Sequence, residues 1–230
     1  MRLSNRTDPG RFSHVIGEVP GGRGEGDGDD GVIVVGAHYD GHDISQAAVD
    51  DASGTALVME LARVFAPLGE QLRSLGSRTL RFEAYAAEEL GVLGSTRYVS
   101  SLSDSEIAAV DFMLNLDGGA LGSDRGLALQ GLEELSPLFA GFAREMGYPL
   151  RLNTSLNTAS DHFPYLLHGV PTAFMGARRP AGQGRGFGHT KADTLDKVDE
   201  VELRESAMVA ARLLLRLATM EDASGRRRTA

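Results

Sequence analysis

The chain has 230 residues, a formal net charge of -9, a hydrophobic fraction of 42% and no cysteine. A chain of this length forms one domain or at most two, and this hydrophobic fraction supplies a sizeable core. The negative charge excludes nucleic acid as a partner on electrostatic grounds, and the absence of cysteine excludes disulfides and thiolate metal sites.

No apolar run is long enough to span a bilayer, and the first residues contain no apolar segment of the signal-peptide type. We therefore expect no membrane partner. The localisation stays open: the sequence as given predicts a cytoplasmic protein, and additional sequence ahead of residue 1 would allow a secreted one. We expect a single domain over residues 1–230, with flexible flanks at residues 1–13 and 222–230.

The stretch of residues 21–31, GGRGEGDGDDG, is rich in glycine and aspartate. A phosphate-binding loop follows a strand and opens a helix, whereas this stretch precedes a strand. A calcium loop needs a Glu at a spacing that is missing here. We interpret the stretch as a flexible hairpin connection between residues 14–20 and residues 31–40.

Strand-like and helix-like patterns alternate along the rest of the chain. Residues 32–37 form a continuous apolar run, typical of a strand covered on both faces, and residues 53–66 carry apolar side chains at helical spacing. The alternation predicts an α/β fold, a three-layer sandwich with a mostly parallel central β-sheet flanked by helices. The other predicted strands are residues 79–86, 111–116 and 171–175, and the other predicted helices are residues 94–102, 133–146 and 202–220.

Polar residues follow the ends of several predicted strands, namely His38, Glu88, Glu89 and Asp117. In parallel sheets the ligand crevice lies outside the carboxyl ends of the strands, so these side chains should meet. The adjacent carboxylates of Glu88 and Glu89 repel each other, by about 4 kcal/mol for unit charges ~4 Å apart near a protein surface. A cation is therefore expected beside them.

Asp40, Asp50, Asp51 and His189 add further carboxylates and a second imidazole to this set. Zinc binds imidazole nitrogen and carboxylate oxygen, and two zinc ions ~3.5–4 Å apart can share one carboxylate. The set allows one shared Asp, and one His and one further carboxylate for each ion. One glutamate then remains free as a general base, which predicts a two-metal hydrolytic site.

The fragments HYD, VDD, AEE, NLD and HTKADT, in this order, resemble the zinc aminopeptidase family that also contains glutamate carboxypeptidases and glutaminyl cyclases. The resemblance extends over roughly residues 14–218 and implies a zinc-exopeptidase-like fold with a single metallopeptidase catalytic domain. It implies an aminopeptidase that removes N-terminal residues from peptide substrates. It also implies two Zn²⁺ ions as cofactors, with Mn²⁺ or Co²⁺ as substitutes.

The same resemblance implies a metal-binding role for five residues. His38 and Asp117 would bind one zinc ion, and Glu89 and His189 would bind the other. Asp50 would bridge the two ions through its carboxylate.

Two further residues receive roles around these ligands. Glu88 would be the general base, and Asp40 would orient the imidazole of His38 through its carboxylate. Members of the family have a cis peptide bond between the two adjacent aspartates, which predicts one between Asp50 and Asp51.

The segment of residues 160–171, SDHFPYLLHGVP, resembles a family segment that approaches the active-site pocket. We predict that Asp161 and His162 contact either the metal ligands or the substrate. Some members place a tyrosine before the last His ligand, where it stabilises the oxyanion. This chain has Gly188 at that position, so the group that stabilises the oxyanion stays open, and Tyr165, as a substrate-binding residue, and the metal ions are the candidates.

Alternatives remain for one part of the site and for the function. Spacing alone leaves His42 and Asp43 either in the pocket or in a structural role on the surface. The scaffold also fits a carboxypeptidase or a glutaminyl-cyclase-like enzyme with a single zinc ion. A non-catalytic binding relative is a third alternative, but such relatives generally lose ligands or the base, and the complete set is present here.

Overall fold

The computed structural model describes residues 10–22, 31–118, 124–177, 186–221 and 223. Most of the predicted flexible flanks, and most of the glycine-rich stretch, lie outside the described residues. Within the described part of the chain, no helix is both long enough and apolar enough to cross a membrane.

A seven-stranded sheet forms the centre of the fold, and its strands are β1 (Val15–Val19), β2 (Val32–His38), β3 (Thr79–Tyr85), β4 (Val110–Asn115), β5 (Arg125–Ala128), β6 (Arg151–Asn153) and β7 (Thr172–Ala177). Their order across the sheet is β1-β3-β2-β4-β7-β5-β6. The pairs β2–β3, β2–β4, β4–β7 and β5–β6 are parallel, whereas β1–β3 and β5–β7 are antiparallel. The prediction of an α/β fold with a mostly parallel sheet is confirmed.

The prediction of a hairpin before β2 is wrong. β1 pairs with β3, from Val15 opposite Ala84 to Val19 opposite Leu80, and β3 separates β1 from β2. β1 and β2 are therefore not hydrogen-bonded neighbours, as the two strands of a hairpin would be. An apolar pattern predicts that a segment is a strand, but it does not predict which strand is its neighbour in the sheet.

The helices are α1 (Ser53–Phe65), α2 (Gly69–Ser74), α3 (Leu93–Ser101), α4 (Asp104–Ala108), α5 (Ser136–Met146), α6 (His162–Leu167) and α7 (Glu200–Thr219). Local chemistry explains several of their ends. Asp199 accepts hydrogen bonds from the backbone N–H groups of Val201 and Glu202 and so caps α7. Ser103 and Glu106 form a capping box at α4.

Alternate residues of β2 enter two different cores, which explains why the whole strand is apolar. Ile33 and Val35 belong to the larger core, together with buried residues of α1, α5 and α7. Val34 belongs to the smaller core on the opposite face, with Val99 of α3 and Tyr165 of α6. Every residue of β2 is buried. The sheet thus lies between two layers of helices. Its central strands β2, β3 and β4 are parallel, so their carboxyl ends lie at the same edge of the sheet.

Candidate metal centre

The predicted polar residues lie together at the carboxyl edge of the central strands. His38 is the last residue of β2, Glu88 and Glu89 follow β3, and Asp117 follows β4. A cavity of about 530 Å³ opens at this edge, and it is lined by Asp50, Glu88, Glu89, Gly91, Val92, Asp117, Asn157, Ala159, Phe174 and His189. The strand-end argument therefore located the cavity correctly.

One group of possible metal ligands contains His38, Asp50 and Asp117. Nε2 of His38 lies 3.3 Å from Oδ1 of Asp50 and 4.0 Å from Oδ1 of Asp117. The imidazole of His38 is buried, and burial alone would lower its pKa. The carboxylates of Asp40 and Asp50 outweigh burial and raise the pKa of His38. The site therefore favours positive charge at this position.

The second group contains Glu89, His189 and His42. Nε2 of His189 lies 2.9 Å from Oε2 of Glu89 and 3.3 Å from Oδ2 of Asp50. Asp50 thus presents one carboxylate oxygen to each of the two histidines assigned to different metal ions. The structure brings together the residues that the family resemblance pairs, and their role as ligands is taken up as a proposal below.

The backbone around Asp50 is held in place by Asp193, a residue to which the sequence assigned no function. Oδ1 of Asp193 accepts a hydrogen bond from the N–H of Val49 at 2.7 Å, and Oδ2 accepts one from the N–H of Asp50 at 3.1 Å. The side chain of Asp193 is buried. The peptide bond between Asp50 and Asp51 is cis, as predicted.

Asp51 connects the start of α1 to the segment that carries Asp117. Its Oδ1 accepts hydrogen bonds of 2.9 Å from the N–H groups of both Gly54 and Gly118. Burial raises the pKa of Asp51 well above its ordinary value, and the nearby carboxylate of Asp117 adds to this rise. Asp51 therefore fixes the position of two segments of the site.

Asp40 contacts both His38 and the two glutamates of the site. Its carboxylate accepts hydrogen bonds from the backbone N–H groups of Glu88 at 3.1 Å and Glu89 at 3.2 Å. Nδ1 of His38 contacts the backbone oxygen of Asp40 at 2.9 Å, whereas the carboxylate is 3.7 Å away. The imidazole is thus oriented mainly by the Asp40 backbone, and the carboxylate positions the two glutamates.

Glu88 is nearly buried in the cavity wall, with Oε2 3.9 Å from Nε2 of His38. Burial raises the pKa of Glu88 to about 8, and the carboxylates of Asp117, Asp161 and Glu89 act in the same direction against His38. Cations bound beside Glu88 would oppose this rise and favour the ionised carboxylate.

A buried hydrogen-bond chain supports Asp117 from behind. Oγ of Ser160 donates to Oδ2 of Asp117 at 2.7 Å, and Nδ2 of Asn115 donates to Oγ of Ser160 at 2.7 Å. The same amide contacts Nδ1 of His162 at 3.3 Å. The segment of residues 160–171 therefore contacts the site through the hydroxyl group of Ser160, a residue to which the sequence assigned no role.

Asp161, His162 and Tyr165, the candidates for contact with the metal ligands or the substrate, lie outside the cavity lining, and contact with the substrate stays a prediction. All three side chains are fully buried, and none lines the cavity. Asp161 accepts a hydrogen bond from Oγ of Ser95 at 2.6 Å, and the hydroxyl of Tyr165 donates to Glu83 at 2.7 Å. Asp161 and His162 belong to the support of the site, and Tyr165 belongs to the smaller core.

Gly188 lies directly against Asp50, so a residue with a side chain does not fit there. A Cβ atom at Gly188 would be 2.4 Å from Oδ2 of Asp50 and 3.2 Å from its Cβ and Cγ atoms. This close approach leaves no space for a Cβ atom at position 188 unless the carboxylate of Asp50 moves.

We expect Gly188→Ala to displace the carboxylate of Asp50 and to lower both metal content and turnover, turnover by about 10-fold or more. Gly141→Ala is the control, because the nearest atom to a Cβ at Gly141 is Nη2 of Arg144 at 3.9 Å. Metal analysis and kinetics on the two purified variants check this prediction. Unchanged metal content in Gly188→Ala would contradict it.

The arrangement fits divalent metal ions. Nε2 of His38 and Oε1 of Glu89 are buried and make no hydrogen bond within the described part of the chain. Two ligand atoms on a tetrahedral zinc ion are about 3.3 Å apart, given metal–ligand distances of about 2.0–2.1 Å. Several nitrogen-to-oxygen distances between the members of the two groups, 2.9–3.3 Å, are close to this value.

His42 is the residue of the site that the sequence left undecided. The structure places its Nε2 atom 3.0 Å from Oε2 of Glu89. Its position four residues after His38 was the only signal, and the fold of the intervening loop decides where its side chain points.

Comparison with known proteins agrees with the fold. The profile of peptidase family M28 matches residues 14–214. The chain therefore belongs to peptidase family M28. Aminopeptidase YwaD of Bacillus subtilis is 30% identical over 183 residues, which cover 76% of this chain and 38% of YwaD.

Solved structures show the same relationship. A zinc aminopeptidase from Bacillus subtilis, BSAP, superimposes with a TM-score of 0.76 at 26% identity, over 92% of this chain and 51% of BSAP. A glutaminyl cyclase from an Acidobacteriales bacterium superimposes with a TM-score of 0.66 at 21% identity, over 88% of this chain and 73% of the cyclase, and shows the fold alone. The chain spans about two-fifths of the length of the curated relatives it matches.

Proposed function

We propose that this chain is a catalytic domain of a two-zinc aminopeptidase. The observation that carries the proposal is the position of Asp50, whose two carboxylate oxygens each lie 3.3 Å from Nε2 of a different histidine, His38 or His189. A carboxylate placed in this way can be shared by two metal ions. The names of two relatives, an aminopeptidase and a zinc aminopeptidase, support the same activity.

The residues for two ions are present in the proposed arrangement. His38 and Asp117 would hold one ion, Glu89 and His189 the other, and Asp50 would contact both. Bound zinc would polarise the scissile carbonyl group and make water a stronger nucleophile near neutral pH.

Glu88 is the residue that would move the proton. Its carboxylate lines the cavity close to His38, and its backbone N–H is fixed by Asp40. The carboxylate accepts a proton from the attacking water and donates it to the leaving amine nitrogen as the peptide C–N bond breaks. A side chain next to a metal ligand in the sequence can serve this role, because the carboxylate of Glu88 lies near His38 whereas that of Glu89 contacts His42.

The cavity also fits the amino end of a peptide. Glu88 lines it and is the carboxylate there that the proposal leaves without a metal ion, so the amine of a substrate could bind beside it. Val92 and Phe174 supply apolar surface for the first side chain. Peptides with a free amine and an apolar first residue are therefore the proposed substrates.

A substrate panel tests the proposed function. We expect the zinc-loaded protein to hydrolyse leucine anilide and a Leu-initiated peptide, and to leave the N-acetylated form of the same peptide intact. Mass spectrometry of the native protein should show two zinc ions per chain. Cleavage from the carboxyl end of the acetylated peptide would instead indicate a carboxypeptidase.

A glutaminyl-cyclase-like activity is the alternative on this scaffold. It predicts one zinc ion per chain and ring closure of an N-terminal glutamine with release of ammonia. The two ligand groups joined through Asp50 favour the two-ion arrangement. One bound zinc together with cyclisation of a Gln-initiated peptide would replace the aminopeptidase proposal.

A further inference from the structure

The side chain of His42 lies inside the second ligand group. Its ring packs against the ring of His189 with a centroid separation of 4.2 Å and an interplanar angle of 59°. Its Nε2 atom lies 3.0 Å from Oε2 of Glu89. Nε2 of His189 lies 2.9 Å from the same oxygen atom. Two imidazole nitrogens thus converge on one carboxylate oxygen.

The distances within this group match the edges of a metal coordination polyhedron. Ligand atoms on a tetrahedral zinc ion are about 3.3 Å apart, and one donor atom from each of His42, Glu89 and His189 lies within 4.8 Å of the others. The side chain of Glu89 is only 7% exposed, and its Oε1 atom makes no hydrogen bond within the described residues. A buried carboxylate beside two imidazoles is a set of donors suited to zinc.

We propose that His42 is a direct ligand of the second metal ion, in addition to Glu89, His189 and the shared Asp50. This inference rests on the two-metal centre proposed above and adds a ligand to it. The second position then has four protein ligands, whereas the first has three, His38, Asp50 and Asp117.

The two metal positions are therefore unequal. Zinc sites with four protein ligands are closed, whereas sites with three keep a coordination position open for water or substrate. We infer that the position at His42 binds zinc more tightly, and that the position at His38 provides the open coordination site.

Zinc titration of His42 variants tests this inference without a measurement of activity. Metal-free protein is titrated with zinc in the presence of a chromophoric chelator, so that each binding event is measured by competition. For the unchanged chain we expect a tight and a weaker event. His42→Ala should weaken the tight event by about 100-fold or more, because even residues that only support a ligand contribute 10–100-fold to metal affinity.

His42→Gln separates a ligand from a residue that merely positions Glu89. Glutamine retains an N–H donor for the carboxylate of Glu89 but lacks the imidazole nitrogen, so we expect it to weaken the tight event as His42→Ala does. Full recovery of zinc affinity in His42→Gln would overturn the inference in favour of a hydrogen bond. His168→Gln is the control, since His168 is exposed just after α6 and outside both ligand groups, and its two binding events should be unchanged.

The outcomes also separate this inference from the proposed function. Two binding events and peptide hydrolysis in the unchanged chain, with both His42 variants binding zinc as tightly as the unchanged chain, would refute the role of His42 alone. Loss of the weaker event instead of the tight one would refute the proposed inequality. An unchanged chain that binds no zinc would refute the role of His42 and the proposed function together.

Discussion

Glu88→Gln is expected to lower kcat for a leucine anilide by about 10²–10⁴-fold, the usual contribution of a general base, while both zinc ions remain bound. Glutamine has nearly the same shape as glutamate but has no carboxylate to accept the proton of the attacking water. The loss corresponds to about 3–5 kcal/mol of transition-state stabilisation. Steady-state kinetics and metal analysis on the same preparation measure the two halves of this prediction.

The control for this substitution is a carboxylate outside the cavity. Glu60 lies on the exposed side of α1, where it pairs with Arg63, so Glu60→Gln should leave kcat unchanged. Turnover near that of the unchanged chain in Glu88→Gln would show that another group takes the proton. Loss of zinc from Glu88→Gln would instead mean that Glu88 serves as a ligand.

Much of the central sheet could be predicted because its strands are long and apolar. β2, β3 and β4 begin and end within one residue of the predicted bounds, and α1 and α7 are where their helical spacing places them. β5 and β6 were missed, since they have four and three residues and lack a continuous apolar run. β1 is the edge strand beside β3, and the order of the strands along the chain does not predict at which edge of the sheet β1 pairs.

The part of the site that could be predicted consists of residues at the carboxyl ends of strands. His38 ends a buried strand, and Glu88 and Asp117 follow two others, so these residues meet at one edge of the sheet because the three strands are parallel. The remaining features depend on loop conformation. His42 and Asp193 reach the site through loops, and no pattern in the sequence distinguishes them from surface residues of the same type.

Removal of zinc is expected to destabilise the folded chain. The ligands exist as a group only in the folded state, so bound metal contributes its binding free energy to folding. One site at a free zinc concentration 1,000 times Kd contributes about 4.1 kcal/mol, which corresponds to a fall in Tm of roughly 8–16 °C for a chain of this size when the ion is removed. Calorimetry with and without a chelator measures this shift, and an unchanged Tm would contradict it.

The dependence of this effect on pH follows from the crowded carboxylates. In the metal-free chain burial raises the pKa of Glu88 to about 8 and that of Asp161 to about 7, whereas both groups titrate near pH 4 when unfolded. The folded chain then binds more protons than the unfolded chain, so the free energy of unfolding falls as pH rises through this window. Burial lowers the pKa of His162 to about 4, which acts in the opposite direction only below about pH 6.5.

Between pH 6.5 and 8.5 the metal-free chain should therefore lose stability, while zinc binding strengthens as its ligands lose protons. The difference in Tm between the zinc-loaded and metal-free protein should widen across this range. Asp161→Asn removes one of the raised carboxyl groups from the support of the site and should reduce the pH dependence of the metal-free protein. A metal-free Tm that rises from pH 6.5 to 8.5 would contradict the idea that zinc relieves repulsion among these carboxylates.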